Sequence, residues 1–142
     1  ATGAQLLQTI ASVIDASYTN VSLLAQRAAA AALTGSQDCV GEMRAIYQRR
    51  RDLAVNILRE HGRYFYTPHG AFYILINART SEGKPRTGRE LARELLRTRN
   101  VTVAPGSGFG SVAENYVRVS LAGTDEEIEQ GLRELCVFAD RA

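Results

Sequence analysis

The sequence predicts an α/β chain whose C-terminal part is an α+β unit. That unit is a three-stranded sheet covered by helices on one side, preceded by a long helix and two more helices with no sheet partner. Three observations predict this. Apolar residues recur at helical spacing as far as Gly62. Three β-branched or aromatic runs follow, at Ala71–Asn77, Val101–Gly106 and Glu114–Gly123. Two capping boxes, T-G-R-E from Thr87 and T-D-E-E from Thr124, mark helix starts between and after those runs.

The elements can be justified in order. Leu6, Leu7, Ile10, Val13 and Ile14 give a first helix over Ala4–Ile14, and Asp15–Asn20 is a polar break. A second helix is expected over Asn20–Gly35, with Asn20 as its N-cap and Gly35 as its stop. A third runs from about Gln37 to Gly62 on Val40, Met43, Tyr47, Ala54, Ile57 and Leu58. Arg49, Arg50 and Arg51 interrupt its stripe, which suggests a core contact at each end and a wetter middle. Leu91, Leu95 and Leu96 are the expected buried stripe of the fourth helix, and Ile128, Leu132, Leu135 and Ala139 that of the last. In the third strand Val117, Val119 and Leu121 share one face, and Tyr116, Arg118 and Ser120 the other. The two N-terminal stripes need something to pack on, and no sheet within the chain is available to them.

Composition narrows the function classes. The chain has 142 residues, 45% hydrophobic and 23% charged, which fits one ordinary domain with a real core. Its apolar runs fall far short of the ~20 residues that span a bilayer. A net charge of +2 argues against nucleic acid as the main partner. Sixteen of the 17 basic residues are Arg, so any lysine chemistry within this chain must use Lys84, in a polar loop. Cys39 and Cys136 form no Cys/His cluster, so no metal site is expected; both are expected to be buried hydrophobes in a reducing, cytoplasmic setting. No signal-peptide pattern is seen.

Few residues suggest chemistry. Arg118, in mid-strand, is either a planar fork for a carboxylate or an arginine on the solvated face of a sheet. The turn P-G-S-G-F-G (Pro105–Gly110) lacks a phosphate-loop lysine and reads as structural. His61 and His69 stand in no catalytic motif. Arg49–Arg51 spread around the helix and make no narrow basic stripe. Tyr18, Thr19 and Asn20 form a polar loop, either a helix break or a loop placed against an active site.

Five spaced motifs then combine. They are S-Y-T-N-V-S-x-L-A-Q-x-A-A-x-A-A-L from Ser17, M-R-x-x-Y-x-x-R-R-D from Met43 and P-x-G-A-F-Y from Pro68. V-x-V-x-P-G-S-x-F-G from Val101 and N-Y-V-R-V-S-L-A from Asn115 complete the set. In this order and spacing the chain resembles the class I/II aminotransferases, pyridoxal-phosphate (PLP) enzymes of fold type I similar to aspartate aminotransferase.

The resemblance implies a C-terminal third of such an enzyme, starting after the motif that carries the PLP lysine, so no catalytic residue is expected here. It implies the end of a PLP-binding large domain over 1–36, a linking helix over 37–62 and a small domain over 63–142. Arg118 matches the arginine that grips the substrate α-carboxylate; Phe72 and Tyr73 fall near the substrate pocket. Thr19 and Asn20 match a cofactor-binding or inter-subunit loop that nears the neighbouring subunit's active site in the family's homodimers. Gly106 and Phe109 match a turn near the pocket entrance, read as structural. The implied substrates are an amino acid and a 2-oxo acid. The alternative is an aminotransferase-like effector domain of a DNA-binding transcription regulator.

Overall fold

The computed structural model describes residues 2–18 and 20–141. It divides into two compact units, 1–41 and 42–142. The first holds helix α1 (Gly3–Ser17), helix α2 (Leu23–Thr34) and the first turn of helix α3 (Asp38–Glu60). The second holds the rest of α3, then β1 (Tyr73–Asn77), α4 (Gly88–Arg99), β2 (Ala104–Pro105), β3 (Tyr116–Ser120) and α5 (Asp125–Arg141). The expected order of helices and strands is therefore the observed one. No helix among the described residues is long and apolar enough to cross a membrane.

In the first unit the sequence forms helices without forming a core. No residue of α1 or α2 is buried. Leu6, Leu7, Ile10, Val13 and Ile14 all lie exposed, Leu7 at 69%. α2 begins after Ser22, not at Asn20, so Asn20 is not its N-cap. Gly35 follows its last turn in an extended conformation rather than a left-handed one. Thr19 lies outside the described residues.

The second unit is built on a sheet of order β1-β3-β2, with β3 antiparallel to both neighbours. Tyr73 faces Ser120, Leu75 faces Arg118 and Asn77 faces Tyr116, while Ala104 of β2 flanks Arg118 on the other side. Alternation then sends Ile74, Ile76 and Val117 into the core. They meet Ala54, Val55, Ile57 and Leu58 of α3, Leu91 and Leu95 of α4, and Ile128, Leu132, Leu135 and Ala139 of α5. The sheet is thus covered on one face and free on the other.

Local chemistry sets the ends of these helices. Thr87 accepts from the Glu90 amide while the Glu90 carboxylate accepts from the Thr87 amide at 2.8 Å. Thr124 and Glu127 repeat the arrangement. Those hydrogen bonds hold the Glu90 carboxyl below its usual range. α3 ends on Gly62 at φ +65°, where the Arg63 amide reaches the Leu58 carbonyl at 2.8 Å, a left-handed cap that glycine adopts without a Cβ penalty. Arg63 and Arg86 then tie the end of α5 down. Arg63 pairs with Asp140 at 2.6 Å, and Arg86 donates to the carbonyls of Ala78 and Ala139.

Several expectations need correction. Leu96 is 52% exposed, because it stands one residue, about 100°, beyond Leu95 and off the buried face. Val40 and Met43 are exposed, so α3 enters the core only through its C-terminal half. Cys39 is exposed for the same reason; Cys136 is buried as expected. Only Ala104 and Pro105 of the second run pair as strand, since Gly106 starts a 3-10 turn (Gly106–Phe109), followed by another at Ser111–Ala113. Ala71 leaves β1 because it turns at φ +60°.

Two outcomes follow for the chain in solution. Its exposed α1 stripe should bind an apolar dye and promote self-association, and Leu7→Glu with Ile14→Glu should reduce both. A monodisperse chain that binds no dye would contradict this. Burial pushes the Cys136 thiol up to about 11, so alkylation at neutral pH should be fast at Cys39 and require unfolding at Cys136. Equal rates at the two thiols would show that α5 is not packed as described.

Candidate functional site

The free face of the sheet carries the candidate site. Its central residue is Arg118, half-buried in the middle of the central strand. The guanidinium carbon lies 4.0 Å from the Tyr73 ring centroid and 3.9 Å from that of Phe109. Tyr73 reaches it from β1, two places along the same face from Arg118's partner Leu75. Phe109 reaches it from the end of the first 3-10 turn. Arg118 Nε is buried and has no hydrogen-bond partner.

Arg118 is partly buried yet unpaired, whereas the other described arginines without an ion pair, such as Arg44, Arg59, Arg79, Arg89, Arg93 and Arg97, are exposed. Arg49 and Arg50 share Asp125, each at 3.0 Å, and hold its carboxyl below the usual range. Arg51 pairs with Asp52, Arg63 with Asp140, Arg99 with Glu134, and Arg133 with Glu60 and Glu129. Arg86 also has a buried orphan, Nη1, but Glu94 stands 3.6 Å from it. Among the described residues Arg118 makes no ion pair. A partly desolvated cation without a counter-ion is costly for folding alone, and ring faces return only ~1–2 kcal/mol. The arrangement suits an incoming anion whose shape matches a planar fork, and a carboxylate does.

The remaining expected residues fall as follows. Phe72 packs tilted against Tyr73, ring centroids 4.4 Å apart, and stacks on Tyr47 of α3 at 5.5 Å. It also lines a cleft of about 360 Å³ with Arg44, Tyr47, Arg51 and His69. Phe72, Tyr73 and Arg118 therefore form one continuous contact chain. Asn20 belongs to the first unit and is exposed between α1 and α2. Phe109 was expected to be structural, yet its ring covers the arginine. The signal that could have found it is a large aromatic placed between two glycines, where no core demands one. Lys84 is on an exposed turn, its side chain 70% accessible and its ammonium 2.7 Å from Glu82.

With this geometry described, comparison decides the family. The profile of "Aminotransferase class I and II" matches residues 2–135. The chain belongs to that family. It is 42% identical to LL-diaminopimelate aminotransferase of Dehalococcoides mccartyi over 82% of this chain and 29% of that protein. It is 34% identical to L-glutamine--4-(methylsulfanyl)-2-oxobutanoate aminotransferase of Bacillus subtilis over 89% of this chain and 31% of that protein. Among solved structures, a tetra mutant of Thermus thermophilus aspartate aminotransferase superposes with a TM-score of 0.79 at 33% identity. That match covers 94% of this chain and 36% of the other. The chain thus spans about a third of the length of such relatives. All of them are transaminases by name, and nothing found supports the transcription-regulator alternative.

The family's cofactor is pyridoxal phosphate. The residues of this chain do not supply its covalent anchor. The sole lysine, Lys84, is held by Glu82 on the surface.

Because Arg118 makes no ion pair among the described residues, Arg118→Ala should alter folding stability by no more than about 2 kcal/mol, the scale of its ring contacts. Ile76→Ala, at a fully buried site, should cost about 2–5 kcal/mol. Denaturant unfolding of both variants checks this. An Arg118→Ala loss as large as the Ile76→Ala loss would make the arginine a structural residue.

Proposed function

We propose that this chain is the C-terminal part of a PLP-dependent aminotransferase that moves an amino group between an amino acid and a 2-oxo acid. Its role is to bind the substrate α-carboxylate and to close over the site. The observation that carries this reading is Arg118: half-buried, flanked by ring faces, with an orphaned Nε and no counter-ion among the described residues. The relatives named above differ in the molecules their names specify, LL-diaminopimelate in one and L-glutamine with a 2-oxobutanoate in the other. A site they hold in common would recognise a group that amino acids and 2-oxo acids share, and the α-carboxylate is such a group.

In this reading both Arg118 Nη atoms donate to the carboxylate oxygens. Two parallel hydrogen bonds fix the orientation of Cα as well as its position. Tyr73 backs the guanidinium, and Phe72 extends the wall toward α3. The cofactor would supply the electron sink, and the lysine that anchors it would belong to the part of the enzyme outside this chain. Residues 1–36 would end the large cofactor-binding domain, 37–62 would link, and 63–142 would form the small domain whose closure excludes water. Thr19 and Asn20 would lie on a loop that approaches the partner subunit's site in a homodimer. A cytoplasmic role in amino acid metabolism completes the proposal.

In the full-length protein, Arg118→Ala should lower kcat/KM for amino acids at least about 100-fold. Two hydrogen bonds to a charged group are worth roughly 1.5–3 kcal/mol each, and about 1.4 kcal/mol is a factor of ten. Arg118→Lys should restore only part, since an ammonium has no planar fork. An amine substrate without the carboxylate should lose far less. Near-normal kcat/KM for amino acids in Arg118→Ala would remove the assignment.

A further inference from the structure

Phe109 raises a question that neither the fold nor the family match answers. It is a large apolar side chain, 52% exposed, on a turn bounded by Gly108 and Gly110. It takes no part in the hydrophobic core. Burial therefore gives no reason for a phenylalanine at this position. Its one described ring-face contact with a charged group is the guanidinium of Arg118 at 3.9 Å.

The turn that carries it is set by backbone packing. A Cβ on Gly106 would collide with the carbonyl oxygens of Ala113 and Tyr116, so only glycine lets the turn press against the start of β3. The place from which the Phe109 side chain departs is thereby fixed relative to the strand that bears Arg118. On the other side, Tyr73 is fixed by the β1–β3 register. The Tyr73 and Phe109 rings are not an aromatic pair with each other, although each lies about 4 Å from the same carbon. They therefore occupy different sides of the guanidinium. Nε is closed off, buried and unpartnered, which leaves the two Nη atoms as the edge open to a ligand.

We propose that Phe109 is a positioning residue for Arg118. With Tyr73 it clamps the guanidinium plane, so that both Nη donors address one carboxylate and water is kept off the pair. Without the ring, the long arginine side chain regains its rotamers, and the fork must be ordered anew each time a substrate binds. Phe109 touches neither substrate nor cofactor in this account. It acts through the arginine, and the inference rests on the reading of Arg118 as the carboxylate anchor.

The test uses the full-length holoenzyme and three variants: Phe109→Leu, Phe109→Tyr and Arg118→Ala. Each is assayed with an amino acid and with the corresponding amine that lacks the α-carboxylate. Phe109→Leu keeps apolar bulk on an exposed turn, so its unfolding midpoint should match the parent. It should raise KM for the amino acid about 5- to 20-fold, the range of a partly desolvated ring–cation contact, and leave KM for the amine unchanged. Phe109→Tyr should behave like the parent because it restores the ring face. If Arg118→Ala loses amino-acid turnover while Phe109→Leu does not, the anchor stands and the positioning role is overturned. Equal Phe109→Leu effects on amino acid and amine would also overturn it, since the loss would not pass through the carboxylate. If Arg118→Ala is neutral, the anchor reading fails, and the positioning role fails with it.

Discussion

An arginine in mid-strand, facing away from a core and lacking a carboxylate to pair with, is the constraint around which the second unit is arranged. It needs a central strand, so that its backbone is held on both sides by Leu75 and Ala104. It also needs a sheet with one covered face, because a guanidinium cannot share space with Ile74, Ile76 and Val117. The three C-terminal helical segments all pack on that covered face. The opposite face carries Tyr73, Leu75, Tyr116 and Arg118, with Phe109 against the arginine and Phe65 against Tyr116.

Partial burial without an ion pair separates this arginine from the rest of the described arginines. The ion pairs of Arg49, Arg50, Arg63 and Arg133 join α3 or the segment after it to α5, and Arg86 holds the Ala139 carbonyl near the C-terminal end of that helix. The exposed pairs among them, such as Arg133 with Glu60, contribute little individually. Their effect is to place the helices while leaving acidic groups engaged elsewhere. The consequence for the site is that no carboxylate among the described residues competes for Arg118.

Much of this was legible in the chain. The element order followed from periodicity and from the two capping boxes, which are local and depend on nothing distant. The face of Arg118 followed from strict alternation along Tyr116–Ser120. Periodicity names a face but not its cover, and this is where the reading failed. Val40, Met43 and Cys39 have helical spacing yet lie on a part of α3 that meets no core. Leu96 is apolar but off the buried stripe. Phe109 was hidden because its contact is tertiary: nothing in P-G-S-G-F-G says that the ring lands on a residue nine places further on. Motif spacing identified the family more sharply than any single residue did, because five weak matches in order are jointly specific.

The most direct measurement is a crystal structure of the full-length protein with a bound 2-oxo acid. The account predicts both α-carboxylate oxygens about 2.7–2.9 Å from the two Nη atoms of Arg118, with the guanidinium still between Tyr73 and Phe109. A carboxylate held by other groups, with Arg118 paired to a protein carboxylate or turned to solvent, would contradict it.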